Sequence, residues 1–214
     1  MGRVLGVVAA AGVFLALLVI GEVGARRWKV DPEGSRRLVH LSSGVVAAGL
    51  PAFLSFPAVV VLALVFIPFL AVSRRMGLFP AVHSVERATW GEVYFPLGVF
   101  LAAALFPVSA PYAYGVVVMG VSDPVAGFAG QRYGRRGHRL LAAGKTNVGS
   151  AAFLAATLVL TGGAVALTVG LSATSMVVVP ALAVTLTLVE GLCGGGADNV
   201  VLPVVGAALL SLAT

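Results

Sequence analysis

Six ionisable side chains lie within or at the edge of strongly apolar stretches: Glu22, His40, Glu92, Asp123, Glu190 and Asp198. Charge in such surroundings is costly and is retained chiefly where something is bound, moved or chemically changed. Asp123 is the most informative. It sits in GVVVMGVSDPVAGFAG (115–130), immediately before Pro124. A proline disfavours helical geometry in the preceding residue and removes a backbone donor, which predicts a helix break near Ser122–Asp123. Broken helices at membrane depth line cavities or ion sites. Gly120, Asp123, Gly127 and Gly130 recur at helical spacing, a surface that admits another backbone or a phosphate. The plainer alternative is an aspartate neutralised by a loop arginine in a kinked helix.

Two further elements carry the chemistry that Asp123 would need. In GKTNVGS (144–150), Thr146 or Asn147 can cap a helix whose free backbone donors attract anions, and Lys145 adds a full charge. Arg132, Arg135, Arg136 and Arg139 lie just upstream and extend the phosphate-binding reading. This is no Walker A loop, because Arg139 stands where that motif needs glycine and no strand precedes it. In EGLCGGGADNVVLP (190–203), the glycines end one helix, and Asp198 and Asn199 begin another. Glu190, Asp198 and Asn199 facing Asp123 would make an oxygen-rich site suited to magnesium and phosphates, whereas simple capping by Asn199 is the structural alternative. His40, beside Arg36 and Arg37, fits helix packing as well as catalysis. His83 and His138 have no supporting constellation.

The elements that must position these residues are membrane helices. Of 214 residues, 59% are hydrophobic and 10% charged, and mean hydropathy is +1.05. Soluble domains carry ~25% charged residues, and a ~30 Å hydrocarbon layer takes ~20 apolar residues per helix. Eight apolar segments fit the chain: 4–23, 38–54, 57–72, 92–108, 112–129, 148–171, 174–192 and 200–213. The expected architecture is all-α and polytopic, with about eight transmembrane helices (seven if one fails to cross), short loops and one membrane-embedded domain over 1–214. The first segment reads as a retained helix rather than a cleaved signal, with Arg26 and Arg27 as its flank. One cysteine, Cys193, excludes an intramolecular disulfide framework.

All 14 lysines and arginines fall at the N-terminus or in the first, third and fifth loops. By the positive-inside rule those loops face the cytoplasm and both termini face outside. Parity then brings the seventh loop, 193–199, to the cytoplasmic side although it holds no cation. The same cationic loop is also what anionic lipids select, so charge alone does not separate a lipid surface from a phosphate ligand.

In their order and spacing these residues resemble the CTP-dependent polyprenol and lipid kinases. That family includes dolichol kinase, phytol and farnesol kinases and a CTP-using diacylglycerol kinase, and it is distantly similar to phosphatidate cytidylyltransferases. The likeness runs through Arg36-Arg37-x-x-His40 with Gly44, then Arg87 and GEVYFPLG (91–98). It continues through Asp123-Pro124-x-Ala126-Gly127 with Gly130 and Gly134, and through Lys145-Thr146-x-x-Gly149-Ser150. It ends on Glu190 and Asp198-Asn199-x-x-x-Pro203. GEVYFPLG looks most like the phytol and farnesol kinase branch. One position departs: the family usually has a glutamate before the glycine of the lysine–threonine motif, and here Val148 stands there.

The resemblance implies transfer of the γ-phosphoryl group of CTP, or another nucleoside triphosphate, to the hydroxyl of an isoprenoid alcohol, with a divalent metal such as magnesium. Asp123 is expected as metal ligand or base, with Asp198 and Glu190 as further metal ligands. Lys145, Arg132, Arg135 and Arg136 are expected to hold phosphates, with Thr146, Asn147, Gly149, Ser150 and Asn199 at the nucleotide. His40 is a catalytic candidate, and Arg36, Arg37, Arg87 and Glu92 are further candidates. The rivals are a diacylglycerol kinase, a cytidylyltransferase that releases pyrophosphate, and a transporter or lipid-binding protein that turns over no nucleotide. No nucleic-acid partner is expected.

Overall fold

A computed structural model describes residues 2–29, 31–80, 90–134, 142 and 144–214. Among them every regular element is helical. In chain order these are α1 (Gly2–Trp28), α2 (Pro32–Gly49), a 3-10 turn (Leu50–Ala52), α3 (Phe56–Arg75), α4 (Gly91–Leu105), α5 (Ser109–Val117), a π turn (Val118–Ser122), α6 (Asp123–Tyr133), α7 (Asn147–Thr168), α8 (Ser175–Leu192) and α9 (Asp198–Ala213). Five helical stretches are long and apolar enough to cross a bilayer: Val4–Trp28, Phe56–Arg75, Ser109–Tyr133, Asn147–Thr168 and Ser175–Leu192. Gly91–Leu105 and Asp198–Ala213 are shorter apolar helices. Seven of the eight apolar segments correspond to these stretches, as in a polytopic membrane protein, whereas 38–54 falls on α2 and the 3-10 turn, which belong to neither group.

The helix starts follow from local chemistry. Asp31 caps α2 by accepting from the Gly34 backbone N–H at 3.0 Å, and Pro32 occupies the first turn, where its missing donor costs nothing. Thr146, not Asn147, caps α7, accepting from Gly149 N–H at 3.0 Å.

The expected break at Ser122–Asp123 does not occur. The chain instead widens into the π turn and stays helical into α6. Such a turn gives each carbonyl a donor five residues ahead, and five ahead of Met119 is Pro124, which has none. The orphaned Met119 carbonyl instead accepts from His40 Nε2 of α2 at 3.2 Å. The proline therefore changes the helix pitch rather than interrupting it, because a neighbouring helix supplies the missing donor.

Packing brings α2, α5 and α9 around this turn. Gly44 and Gly120 cross backbone to backbone, so a Cβ on either would strike the other's Cα. Pro203 offers no N–H to the Asn199 carbonyl one turn back, and Gly98 lets the α4 backbone press against that carbonyl. Buried Tyr112 donates to the Ala47 carbonyl at 2.9 Å, and Thr157 Oγ1 donates to Ser122 Oγ at 2.9 Å. Hydrogen bonds of this kind join helices where lipid supplies no hydrophobic drive between them. Met119, Phe153, Leu186 and Leu202 fill the centre, while Val159, Leu167 and Leu188 point outward.

Candidate functional site

Four chain segments distant in sequence meet at one end of the helices. They are the start of α2, the length of α6, the turn into α7, and the connection from α8 to α9. Together they enclose a cavity of about 700 Å³, within the range that holds small-molecule ligands. The helical N-termini of α2, α7 and α9 converge on it, and the positive ends of helix dipoles favour an anion.

At its floor Lys145 Nζ donates to Glu190 Oε1 at 2.5 Å and to Asp198 Oδ2 at 2.7 Å, with Asp123 Oδ1 3.7 Å away. One oxygen from each of the three carboxylates lies within 4.8 Å of the others. Burial works against the charge on Lys145, but Asp123, Asp198 and Glu190 outweigh it and raise its pKa above the ordinary lysine value. Glu190 is almost fully buried, and its second oxygen, Oε2, has no hydrogen-bond partner. Nor has Asn199 Oδ1, although Asn199 Nδ2 donates to the Gly91 carbonyl at 2.8 Å. Buried oxygens left unmatched are expensive, and these belong to side chains that line the cavity. With the three clustered carboxylates they form a hard-oxygen set that fits magnesium.

The start of α2 brings two more cations to the cavity. Arg36 Nη2 and Arg37 Nη2 both donate to Glu33 Oε1, at 2.9 and 2.6 Å, and Arg37 also reaches Gln131 Oε1 at 3.2 Å. Gly127 makes room for the Arg37 guanidinium, and Gly130 for Thr146 Oγ1. The small residues spaced along α6 are thus occupied by protein groups as well as facing the cavity. Ser150 Oγ, also on the cavity wall, is buried and unpartnered.

Asp123, Lys145, Glu190, Asp198, Asn199, Thr146, Gly149, Ser150, His40, Arg36 and Arg37 all border this one space. Others do not. Arg132 turns onto Tyr133, with Nε 3.2 Å from the hydroxyl. Asn147 and Val148 are exposed and absent from the cavity wall. The clustered carboxylates come from α6, α8 and α9, and Val148 is not among the residues lining the cavity. Glu92 pairs with Arg74 of α3 at 2.5 Å, and that arginine stacks over Trp90. Glu22 is held by Arg26 at 2.6 Å on α1. Asn199 forms no cap on its own helix. Arg87, Arg135, Arg136, Arg139, His83 and His138 lie outside the described residues.

Glu33, Gln131 and Asp31 are cavity residues that sequence reasoning missed. Glu33 was accessible from its spacing, three and four residues before Arg36 and Arg37 on one helix. Gln131 carried no such signal, because its partner is 94 residues away. His40 is packed by its contact with Met119 and by an edge-on meeting with Phe95 at 5.0 Å between ring centres.

The chain is similar to phytol kinase of Synechocystis sp., with 29% identity over 209 residues, spanning 95% of this chain and 89% of that protein. The match supports the resemblance to the phytol and farnesol kinase branch of the lipid kinases. No family model matches the chain, and no solved structure does.

Proposed function

We propose that this protein is a membrane lipid-alcohol kinase that transfers the γ-phosphoryl group of CTP to the hydroxyl of an isoprenoid alcohol such as phytol, farnesol or geranylgeraniol. The observation that carries the reading is the cavity itself. Three carboxylates gather at a lysine, two arginines border the same space, and three helix N-termini converge on it. Such a site holds a metal and a chain of phosphates together, and phosphoryl transfer asks little else of a protein than positioning and charge. The similarity to a phytol kinase supports the acceptor class.

Asp123, Glu190 and Asp198, with Asn199 Oδ1, would hold magnesium, which when bound neutralises charge on the phosphates. Lys145, Arg36 and Arg37 hold the phosphate oxygens. Ser150 Oγ donates to them, and the positive end of the α7 dipole favours their charge. In the transfer, the alcohol oxygen forms a bond to the γ-phosphorus as the bond from that phosphorus to the bridging oxygen breaks. CDP leaves, and Asp123 accepts the hydroxyl proton. His40 is a positioning residue, because its ring holds the carbonyl of the π turn that aims Asp123. By the positive-inside rule the cationic loops face the cytoplasm, so the nucleotide would approach from that side, and the alcohol through the bilayer.

Purified protein incubated with radiolabelled CTP, ATP, GTP or UTP and each alcohol tests this directly. CDP and an alkyl monophosphate are expected. Pyrophosphate with a CDP-lipid would make it a cytidylyltransferase, phosphatidate as the preferred product a diacylglycerol kinase, and no nucleotide turnover a transporter or lipid-binding protein.

A further inference from the structure

A second, apolar pocket lies between α1, α2, α3 and α4, walled by Phe14, Ala47, Phe66, Phe95 and Val99 among others. We propose that it receives the hydrocarbon tail of the isoprenoid alcohol, with the hydroxyl passing His40 and Phe95 to reach Asp123. The inference rests on the kinase reading for its ligand class and adds where that ligand binds.

Continuity with the polar cavity is the first ground. His40 lines the polar cavity, Phe95 lines the apolar pocket, and their rings meet edge to face at 5.0 Å. That ring pair is the partition between the two spaces. Ser43 and Ala47 of α2 and Leu50 of the 3-10 turn continue from His40 along one face, and all three line the pocket. From Ser43, one turn past His40, to Leu50 the pocket wall therefore descends about 10 Å, so a tail lying along it keeps its hydroxyl end toward the reacting groups.

The second ground is shape. As it stands the pocket is a slot of about 60 Å³ closed by Phe14 of α1 against Phe66 of α3, with ring centres 5.6 Å apart. One slot suits a single chain, where a diacylglycerol would need space for two. Its three phenylalanine rings are suited to the flat, methyl-branched alkene units of a prenyl chain. The slot must widen to admit a tail, and α1 is the wall that can yield. Only 6% of the α1 apolar window is buried, against 22–50% for the other four long spans, so tilting α1 away exchanges few protein contacts for lipid. Separation of Phe14 from Phe66 opens the slot laterally to the bilayer.

The test is photo-crosslinking in lipid nanodiscs with a diazirine-bearing farnesol analogue, followed by mass-spectrometric mapping of the adducts. Adducts on Phe14, Phe66 and Phe95, displaced by excess farnesol, are expected. Ala47→Phe should cut their yield about tenfold and raise KM for geranylgeraniol by a similar factor, while KM for the short alcohol geraniol changes by less than about twofold. Val99→Phe, on the facing helix, provides the same block should Ala47→Phe fail to fold. Adducts confined to outward-facing residues such as Leu167 and Leu188, indifferent to both variants, would overturn the pocket. Displaceable adducts in the slot with no phosphoryl transfer from any nucleotide would uphold the pocket and overturn the kinase reading.

Discussion

Replacing Lys145 with methionine tests the centre of the site without relying on turnover. The substitution keeps the length of the side chain and removes the cation that, among the described residues, pairs with Asp123, Glu190 and Asp198, at 3.7, 2.5 and 2.7 Å. Three carboxylates then remain with oxygens within 4.8 Å of one another, two of them in buried residues. Removing one partner of a buried ion pair costs about 3–5 kcal/mol, because the remaining charge stays buried and unpaired. For a chain of this size that corresponds to a fall in Tm of roughly 6–20 °C. Magnesium should reverse much of the loss, since the vacated centre is a ready oxygen site and a ligand that binds only the folded state stabilises it by mass action. The wild-type protein, whose lysine already fills that centre, should gain less from magnesium alone. Tryptophan fluorescence during thermal unfolding in detergent reads both quantities. Lys29→Met, at an exposed position, is the control and should shift stability by less than about 0.5 kcal/mol. An unchanged Tm for Lys145→Met, or equal magnesium stabilisation of variant and wild type, would refute the assignment of these carboxylates to a metal.

Other expectations follow from single contacts. Asp123→Asn should lower kcat by about 10²–10⁴-fold, the usual loss when a proton acceptor is removed, with thermal unfolding preserved. His40→Gln keeps a donor for the Met119 carbonyl and should retain most activity with an unchanged pH profile, while His40→Leu should cost about 1–3 kcal/mol of stability by orphaning that carbonyl; a proton-transferring histidine would instead lose kcat in both. Gly44→Ala would drive a methyl into the Gly120 backbone and should destabilise by about 1–3 kcal/mol in chemical denaturation. Cys193, on the cavity wall, has its thiol pKa pushed up by burial and then by Asp198. Less of it is thiolate at a given alkaline pH, so maleimide labelling should be slower than for glutathione until pH rises further, and magnesium with CTP should slow it again.

Much of the architecture was legible because lipid imposes a simple rule. Every span must satisfy its own backbone hydrogen bonds and present apolar side chains outward, which yields helices and long apolar runs. Glu33 with Arg36 and Arg37 was likewise a local pattern on one helix. The fate of the Asp123 turn was not. Pro124 predicts a lost donor, but whether the helix breaks or widens depends on who replaces that donor, and the replacement is His40, 79 residues away.

The sequence by itself determined that the polar residues belong to a few short clusters at the ends of apolar helices, and that loops five and seven end on the same side if the count is even. Only the tertiary structure decided which members of each cluster meet. It draws Lys145 to Glu190 and Asp198 across 45 and 53 positions, turns Arg132 away, and leaves Glu92 with Arg74 instead. The reason is that residue spacing specifies a face of one helix, whereas a site is built from faces of four. Which faces coincide is set by the close glycine crossings, such as Gly44 on Gly120 and Gly98 on the Asn199 carbonyl, and those depend on both partners at once.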